Sequence, residues 1–376
     1  MATQREDISI SPSNPIGLDD LQLLKVIGKG GFGEVFQARG KRCGMIFALK
    51  VVKKPECEMN KRHLRNEIKV LQHVKCRFLC KMHHCFETDE RVFMILEFLQ
   101  GGEMFTLLNK IGCLSESQAK FYAAEVTMAL EHLHKNNVIY RDLKHNNILL
   151  DRTGHVKLTD FGFSKFNFPR GSKTSTFCGT IEFMAPEIVK NEPYGHEVDV
   201  WALGCLVYDM LAGGSPFAAE TEKEIIDNIV RKPLSLPSNF SPECKEFMSA
   251  ILKRRVNGRI DIEEVKHLSF FREYDWELLA AHGYPPPFQP QISGDEDVSQ
   301  FEAEFTDLPV LVSPCKVDRS EGRIKNADPF ISFDSYCSAE VAVEVSPDRK
   351  RKGSARILLD PQSSTKKSSS KQHRQK

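Results

Sequence analysis

Residues 21–53 carry their apolar side chains in short runs broken by glycine. LQLLKVIGKGGFGEVFQARG reads as strand, glycine turn, strand, and MIFALKVVKK as a third strand. KRHLRNEIKVLQHV changes the period, its apolar residues falling at helical spacing. RFLCKMHHCFETDERVFMILEFL alternates and then runs apolar, the pattern of two paired strands around a polar turn. A glycine pair in EFLQGGEMF marks a break, and beyond it the pattern is helical. SQAKFYAAEVTMALEHLHKN has an apolar face at three-to-four spacing, and VDVWALGCLVYDMLAG reads as a mostly buried helix. The expected fold class is α+β with two lobes, a small β-rich N-lobe over about 21–96 and a larger α-helical C-lobe over about 100–271.

The flanks differ from this core. Residues 1–20 are polar and Ser/Pro-punctuated and are expected to be a mobile lead-in. Beyond FFREYDWELLAAHGYPPPFQP the chain becomes acidic and irregular over 272–336, and 337–376 ends in a Ser/Lys-rich basic tail expected to be disordered. With 376 residues, 41% hydrophobic and 27% charged, the chain suffices for two packed lobes plus tails, and its net charge of +1 gives no general pull toward nucleic acid or membrane. No apolar leader and no membrane-length apolar run is present, so the expectation is an intracellular, cytoplasmic chain without a membrane span. The basic end, DRKRKGS and KKSSSKQHRQK, reads as a nuclear-import signal, a contact for RNA or acidic lipid, or a solubilising tail; without interleaved aromatics it argues against base stacking. Eleven scattered cysteines read as reduced thiols. Cys76, Cys80, His83, His84 and Cys85 are dense enough to raise zinc, but a single strand rather than two separated ligand pairs carries them, and the strand reading is preferred.

Chemistry enters with GKGGFGEV, which supplies Gly28, Gly30, Gly33 and Val35. The same glycine spacing opens dinucleotide folds, but there a helix follows, whereas Val35 leads into a strand; a flap over nucleotide phosphates is favoured. Lys50 follows on a strand and Glu67 on the next helix, the pair that phosphoryl transfer needs to position phosphates. YRDLKHNN then gives Asp142, Lys144 and Asn147, and DFG gives Asp160. A base-capable carboxylate, a cation, an amide and a second carboxylate thus arrive in the order of a nucleotide-dependent phosphotransferase, with Asn147 and Asp160 as magnesium ligands. APE at 185–187 and DVW at 199–201 complete the pattern.

On these motifs the chain resembles the eukaryotic protein kinase family over roughly residues 20–271. Tyr140 before Arg-Asp, TFCGTIEFMAPE, PPFQP and FEAEFTDLP are similar to the AGC group of Ser/Thr kinases, and within it to the ribosomal S-six kinase branch, with coverage from about Leu21 to Tyr336. The resemblance implies ATP and Mg2+ as cofactors. It implies a nucleotide site that adds Ala48, Glu97, Leu99 and Glu103 to the glycines, Val35 and Lys50, with Leu96 as gatekeeper and Glu97–Leu99 as hinge. It implies an activation-loop phosphosite at Thr176, served by Arg141, Lys165 and His63 and modified by an upstream kinase of the phosphoinositide-dependent type. Protein substrates would present Ser or Thr near upstream basic residues.

Three departures qualify the resemblance. His145-Asn146 replaces the usual Pro-Glu; that glutamate reads a substrate's basic residue and touches neither ATP nor magnesium, so the catalytic set stays whole. Glu103 and Asp209 keep the other arginine-reading positions, Asp209 one methylene short, and a looser preference for upstream arginine is expected. In the tail, FISFDSY keeps Phe330 and Phe333 of the hydrophobic motif but puts Asp334 where a phosphorylatable residue belongs, with Ser335 as an alternative site and Ser313 at the turn motif. A fixed carboxylate there is expected to hold the helix of Glu67 partly in place without phosphorylation. A catalytically idle, pseudokinase-like scaffold is the competing reading and a small-molecule kinase a distant third.

Overall fold

The computed structural model describes residues 17–30 and 33–311. Ser313, Phe330, Phe333, Asp334 and the basic end lie outside the described residues. The N-lobe is built on β1 (Leu21–Gly30), β2 (Gly33–Gly40), β3 (Ile46–Lys53), α1 (Glu58–His73), β4 (Met82–Glu87) and β5 (Arg91–Glu97). The strands form one antiparallel sheet in the order β1-β2-β3-β5-β4. Pairing of β4 with β5 settles the cysteine-histidine stretch as a strand, with Cys80 buried just ahead of it and His83, His84 and Cys85 on β4. α1 buries Leu64, Glu67, Ile68, Val70 and Leu71 on one face, so the only carboxylate of that stripe points inward with the apolar residues.

The helical lobe follows with α2 (Met104–Ile111) and α3 (Glu116–Lys135). Ser115 starts α3 with a reciprocal cap, accepting from the Gln118 amide while its own amide donates to the Gln118 side chain at 2.9 Å. A short hairpin, β6 (Ile148–Leu150) and β7 (Val156–Leu158), precedes α4 (Pro186–Val189) and α5 (Glu197–Ala212). Then come α6 (Glu222–Arg231), α7 (Pro242–Ile251), α8 (Ile262–Val265), α9 (Trp276–Ala280) and α10 (Ala303–Thr306). α5 is apolar nearly all round and packs on α3, itself buried on most sides, in the centre of the lobe. Gly204 sets how closely α5 meets the end of α7: an added Cβ there would stand 2.7 Å from Ile251 Cγ2. No helix among the described residues is long and apolar enough to cross a membrane.

After the helical lobe the chain returns to the sheet. Gln100 donates to the Gly294 carbonyl at 2.8 Å, Gln37 donates to the Glu296 carbonyl at 3.0 Å, and Arg39 pairs with the Glu296 carboxylate. Phe301 stacks on Phe98 with ring centres 5.6 Å apart, and Phe305, Leu308 and Val310 pack on the apolar cluster of Leu21, Phe36, Phe47 and Phe93.

One buried ion pair locks the segment ahead of α5. Arg259 grips Glu187 with two bonds, 2.6 and 3.1 Å, also donates to the Glu197 and Lys253 carbonyls, and lies over the Trp201 ring. Both side chains are at most 1% exposed. Glu187→Ala would strand the guanidinium in the core, and removal of one partner of such a pair costs about 3–5 kcal/mol. Denaturant unfolding of the variant should show a loss of that size; a change of under about 1 kcal/mol, the usual worth of an exposed pair, would contradict the reading of this pair as a structural lock.

Candidate active site

The cleft between the lobes collects the residues singled out by the motifs. β3 carries Lys50 between Val35 of β2 and Met94 of β5, and its ammonium meets Glu67 of α1 at 2.5 Å. Burial alone would push the Lys50 pKa down, but the carboxylates of Glu67 and Asp160 more than offset it and hold the lysine above its ordinary value. Burial pushes the Glu67 pKa up, with Lys50 opposing. Lys50 is therefore held as a cation inside the cleft, on a short tether.

Glycine is required at one point of the flap. Gly33 has φ +138°, and a Cβ there would lie 2.1 Å from the Val51 carbonyl oxygen, so the turn into β2 closes against β3 only without a side chain. At Gly30 an added Cβ would meet nothing within 4 Å, which leaves the backbone facing open space. Ala48 pairs with Leu96, and Phe47 with Glu97, where the sheet runs into the hinge. The Glu97 carboxylate is occupied by Lys157 at 3.0 and 3.1 Å and by the Lys81 amide at 2.6 Å, which leaves the backbone as that residue's means of contacting a ligand. Leu99 is buried beside it.

The loop between α3 and β6 is shaped by Asp199, the fully buried carboxylate of DVW. It accepts from the Tyr140 amide at 2.9 Å, the Arg141 amide at 2.8 Å and His134 at 2.8 Å. Burial would raise its pKa, but His134 and these amides outweigh burial and keep it below the ordinary value. Held this way, Arg141 adopts φ +71°, a left-handed conformation that costs a side-chain-bearing residue of order 1–3 kcal/mol. The kink delivers the next residue, Asp142, into the cleft.

Asp142 sits in a closed network. Asn147 donates to its carboxylate at 2.9 Å and to its carbonyl at 2.8 Å, Thr180 donates to its other oxygen at 3.0 Å, and Lys144 lies 3.2 Å away while donating to Thr180 at 3.0 Å. Burial raises the Asp142 pKa, Lys144 counters it, and the charge of Asp160 adds to the rise. Asp160, at φ +51°, accepts from the Gly162 amide at 3.2 Å. Because the Asn147 amide nitrogen is spent on Asp142, its carbonyl oxygen is the donor left for a cation; with Asp160 this makes a hard oxygen set, the kind that suits Mg2+.

Of the activation-loop residues, Thr176 and Arg141 are joined through Tyr194. Thr176 is exposed, and its carbonyl accepts from Tyr194 Oη at 2.6 Å, while Arg141 donates to the same hydroxyl at 3.2 Å. Burial, then the Arg141 charge, holds His63 below its ordinary pKa, which puts these two groups in one electrostatic neighbourhood. Lys165 lies over the Phe168 ring.

The family profile for the protein kinase domain matches residues 21–271. The chain belongs to the protein kinase family. The profile for the protein kinase C-terminal domain, matching residues 292–373, adds an AGC-type tail. The kinase is 45% identical over 337 residues to ribosomal protein S6 kinase beta of Caenorhabditis elegans, across 86% of this chain and 61% of that protein. It is 42% identical over 314 residues to serine/threonine-protein kinase Sgk1-B of Xenopus laevis, across 81% and 72% of the two chains. Against serine/threonine-protein kinase Sgk1 of Fundulus heteroclitus the figures are 41% over 341 residues, 87% and 79%. The chain is thus a Ser/Thr protein kinase of AGC type, and ATP with magnesium is what its family uses.

Several contacts in the kinase escape any local motif. Asn146 donates to Glu103 at 3.1 Å, His145 lies 3.5 Å from Asp209, and Tyr194 and Arg259 join segments far apart in the chain. Glu125, His155 and His282 also converge, their ligand atoms within 4.8 Å of one another. Both Glu125 oxygens are already bonded, to His155 and to the Val156 amide, and the two imidazoles are stacked 3.9 Å apart at 16°. Lone pairs lying in near-parallel ring planes do not meet at one ion, so this cluster is a stacked, hydrogen-bonded anchor for the segment after α9.

Asp199→Asn would turn an N–H group toward one of the two loop amides and let Arg141 relax. Misplacing the following carboxylate by about 1 Å costs roughly a hundredfold in turnover. Steady-state kinetics should show that loss in kcat with KM for ATP changed less than about threefold; an unaltered kcat would mean that Asp199 does not set the loop.

Proposed function

We propose that the kinase is a working enzyme that transfers the γ-phosphoryl group of ATP to Ser or Thr hydroxyls of protein substrates with upstream basic residues, and that phosphorylation of Thr176 activates it. The observation that carries this reading is the complete catalytic set: Lys50 held by Glu67 at 2.5 Å, together with the Asp142, Lys144, Asn147 and Thr180 network. Bound Mg-ATP supplies the transferable phosphoryl group and the cations that offset its charge.

The residues then divide the work. Asp142, made more basic by burial, accepts or orients the substrate's hydroxyl proton, and Thr180 and Asn147 fix its two oxygens. Lys144, steadied by Asp142 and Thr180, offsets charge on the phosphoryl group in flight. Asn147 Oδ1 and the Asp160 carboxylate hold magnesium, and Lys50 the α and β phosphates. Backbone amides around Gly28, Gly30 and Gly33 cover the phosphates. Val35, Ala48 and Leu99 enclose the base, and the Glu97–Leu99 backbone hydrogen-bonds it. Glu103 closes the mouth of the nucleotide site and faces the substrate.

A phosphate on Thr176 brings about −1.5 to −2 charges to the neighbourhood of Arg141 and His63, with Lys165 as a further cation. Tyr194 already ties Thr176 to Arg141, so the new charge reinforces a contact that passes directly into the loop carrying Asp142. An upstream kinase of the phosphoinositide-dependent type would supply it. Ser313, Phe330 and Phe333 are proposed as further regulatory positions. A cytoplasmic setting, with access to the nucleus through the basic end, completes the reading.

A positional peptide library with Mg-ATP tests the proposal on the purified full chain, before and after treatment with an activating kinase. Transfer to Ser/Thr peptides with a modest preference for upstream arginine is expected. Asp160→Asn should lower it by about a hundredfold or more, the scale of losing one electrostatic stabiliser, and Thr176→Ala should remove the response to the activating kinase. ATP binding without transfer in either state would support the scaffold reading instead.

A further inference from the structure

The segment that leaves α9 is pinned at its first turn by two stacked imidazoles. His282 lies on His155 with ring centres 3.9 Å apart, and it also meets Phe78, from the stretch between α1 and β4, at 5.2 Å. The turn itself is tightly fixed. The Gly283 amide donates to the Leu278 carbonyl at 2.8 Å, and His282 takes φ +58°, a left-handed conformation that Asn, Asp and His adopt more readily than other side chains. Further on, the Phe288 carbonyl runs so close to Gly154 that a Cβ there would collide with it, and the chain then reaches Gly294 and Glu296, its ties to Gln100 and Gln37.

The stack has one carboxylate, and both of its oxygens are taken. Glu125 holds His155 Nδ1 at 2.6 Å and accepts from the Val156 amide at 2.8 Å. His282 Nε2 is buried with no hydrogen-bond partner among the described residues. The charges around it are His155, Arg77 and Lys157, the last tied to Glu97, against Asp151, one of whose oxygens is occupied by Thr153 and by the Gly154 and His155 amides. On the Glu125 side, burial pushes the hydroxyls of Tyr122 and Tyr274 above their ordinary pKa, so both stay neutral. A proton on His282 would thus make a cation that faces a second imidazole and two other cations, its N–H without an acceptor.

We propose that this stack is an acid-sensitive clasp: the segment after α9 docks with His282 neutral, and protonation of that ring releases the turn and slackens the path of the chain back to the N-lobe. Burial first, then His155, holds His282 down to about 4, with Arg77 and Lys157 adding to the shift and Asp151 opposing it. The released ring has the ordinary value of about 6.5 and so binds more protons than the docked one. Docking is therefore at full strength above about 6.5 and weakens as pH falls toward 4.

Amide hydrogen exchange of the full chain, corrected for the intrinsic pH dependence of exchange, reads the clasp without reference to activity. Between about pH 7.5 and 5.5, protection in peptides covering residues 278–288 should fall roughly three- to tenfold relative to peptides of α5, which report global unfolding. Two variants remove the titrating ring. His282→Phe keeps an aromatic face on His155, and His282→Asn suits the left-handed turn; in each, protection should change by less than about twofold over that range, whatever its level at the start. The ring itself gives a second readout. In protein labelled at histidine Cε1, the His282 resonance, assigned by its loss in the variants, should still be that of a neutral ring at about pH 5.5. A wild-type profile flat with pH, a fall of the same size in both variants or in α5, or a His282 midpoint at or above about 6.5 overturns the proposal.

Discussion

The buried carboxylate of Asp199 is the constraint on which the site depends. It satisfies two consecutive loop amides and a buried histidine, and it remains ionised because those three donors outweigh the cost of burial. Its position is set in turn by α5, the central helix of the lobe, so the chemistry is referenced to the most thoroughly packed part of the molecule. Arg141, held left-handed by this contact, looks both ways: its backbone turns Asp142 into the cleft, and its guanidinium reaches the Phe163 carbonyl and the hydroxyl of Tyr194, which bonds Thr176. One residue thereby links the loop of Asp142 to Thr176 through the Tyr194 hydroxyl, the route that the proposed activation would use.

The local periodicities were sufficient for the architecture. The glycine-broken apolar runs of 21–53 and the alternation in the cysteine-histidine stretch became the five-stranded sheet, and the change of period at KRHLRNEIKVLQHV became α1 with Glu67 on its inner face. The Lys50–Glu67 pair was legible only from the company of the glycine flap and the YRDLKHNN and DFG motifs; its 2.5 Å contact is a product of packing. His145 and Asn146 were legible only as a departure. What they do depends on Asp209 and Glu103, brought to them by tertiary packing, and no spacing rule encodes that approach. Arg259 was missed for the same reason, being one of many surface-type residues until α5 and Trp201 enclose it.

The two replaced loop residues face away from the residues that bond Asp142. Lys144 and Asn147 face inward to Asp142, whereas the pair between them faces Glu103 and Asp209, so one short turn serves two surfaces. Substitution on one surface leaves the hydrogen bonds of the other intact. Loss of the usual Pro-Glu therefore falls on the outer surface of the turn and leaves the bonds to Asp142 in place.

The returning segment makes the polypeptide a closed circuit. The lobes are joined once by the hinge at Glu97–Leu99 and again where Gly294 and Glu296 take bonds from Gln100 and Gln37 and Phe301 stacks on Phe98. With a single connection, one lobe could swing about the hinge in any direction. With two, the permitted motion narrows to a rotation about the line through both attachments, and any wider gape must first peel the second strand of the circuit from the sheet. Opening the cleft beyond that rotation would have to break the bonds of Gln37 and Gln100 and the stacking of Phe98.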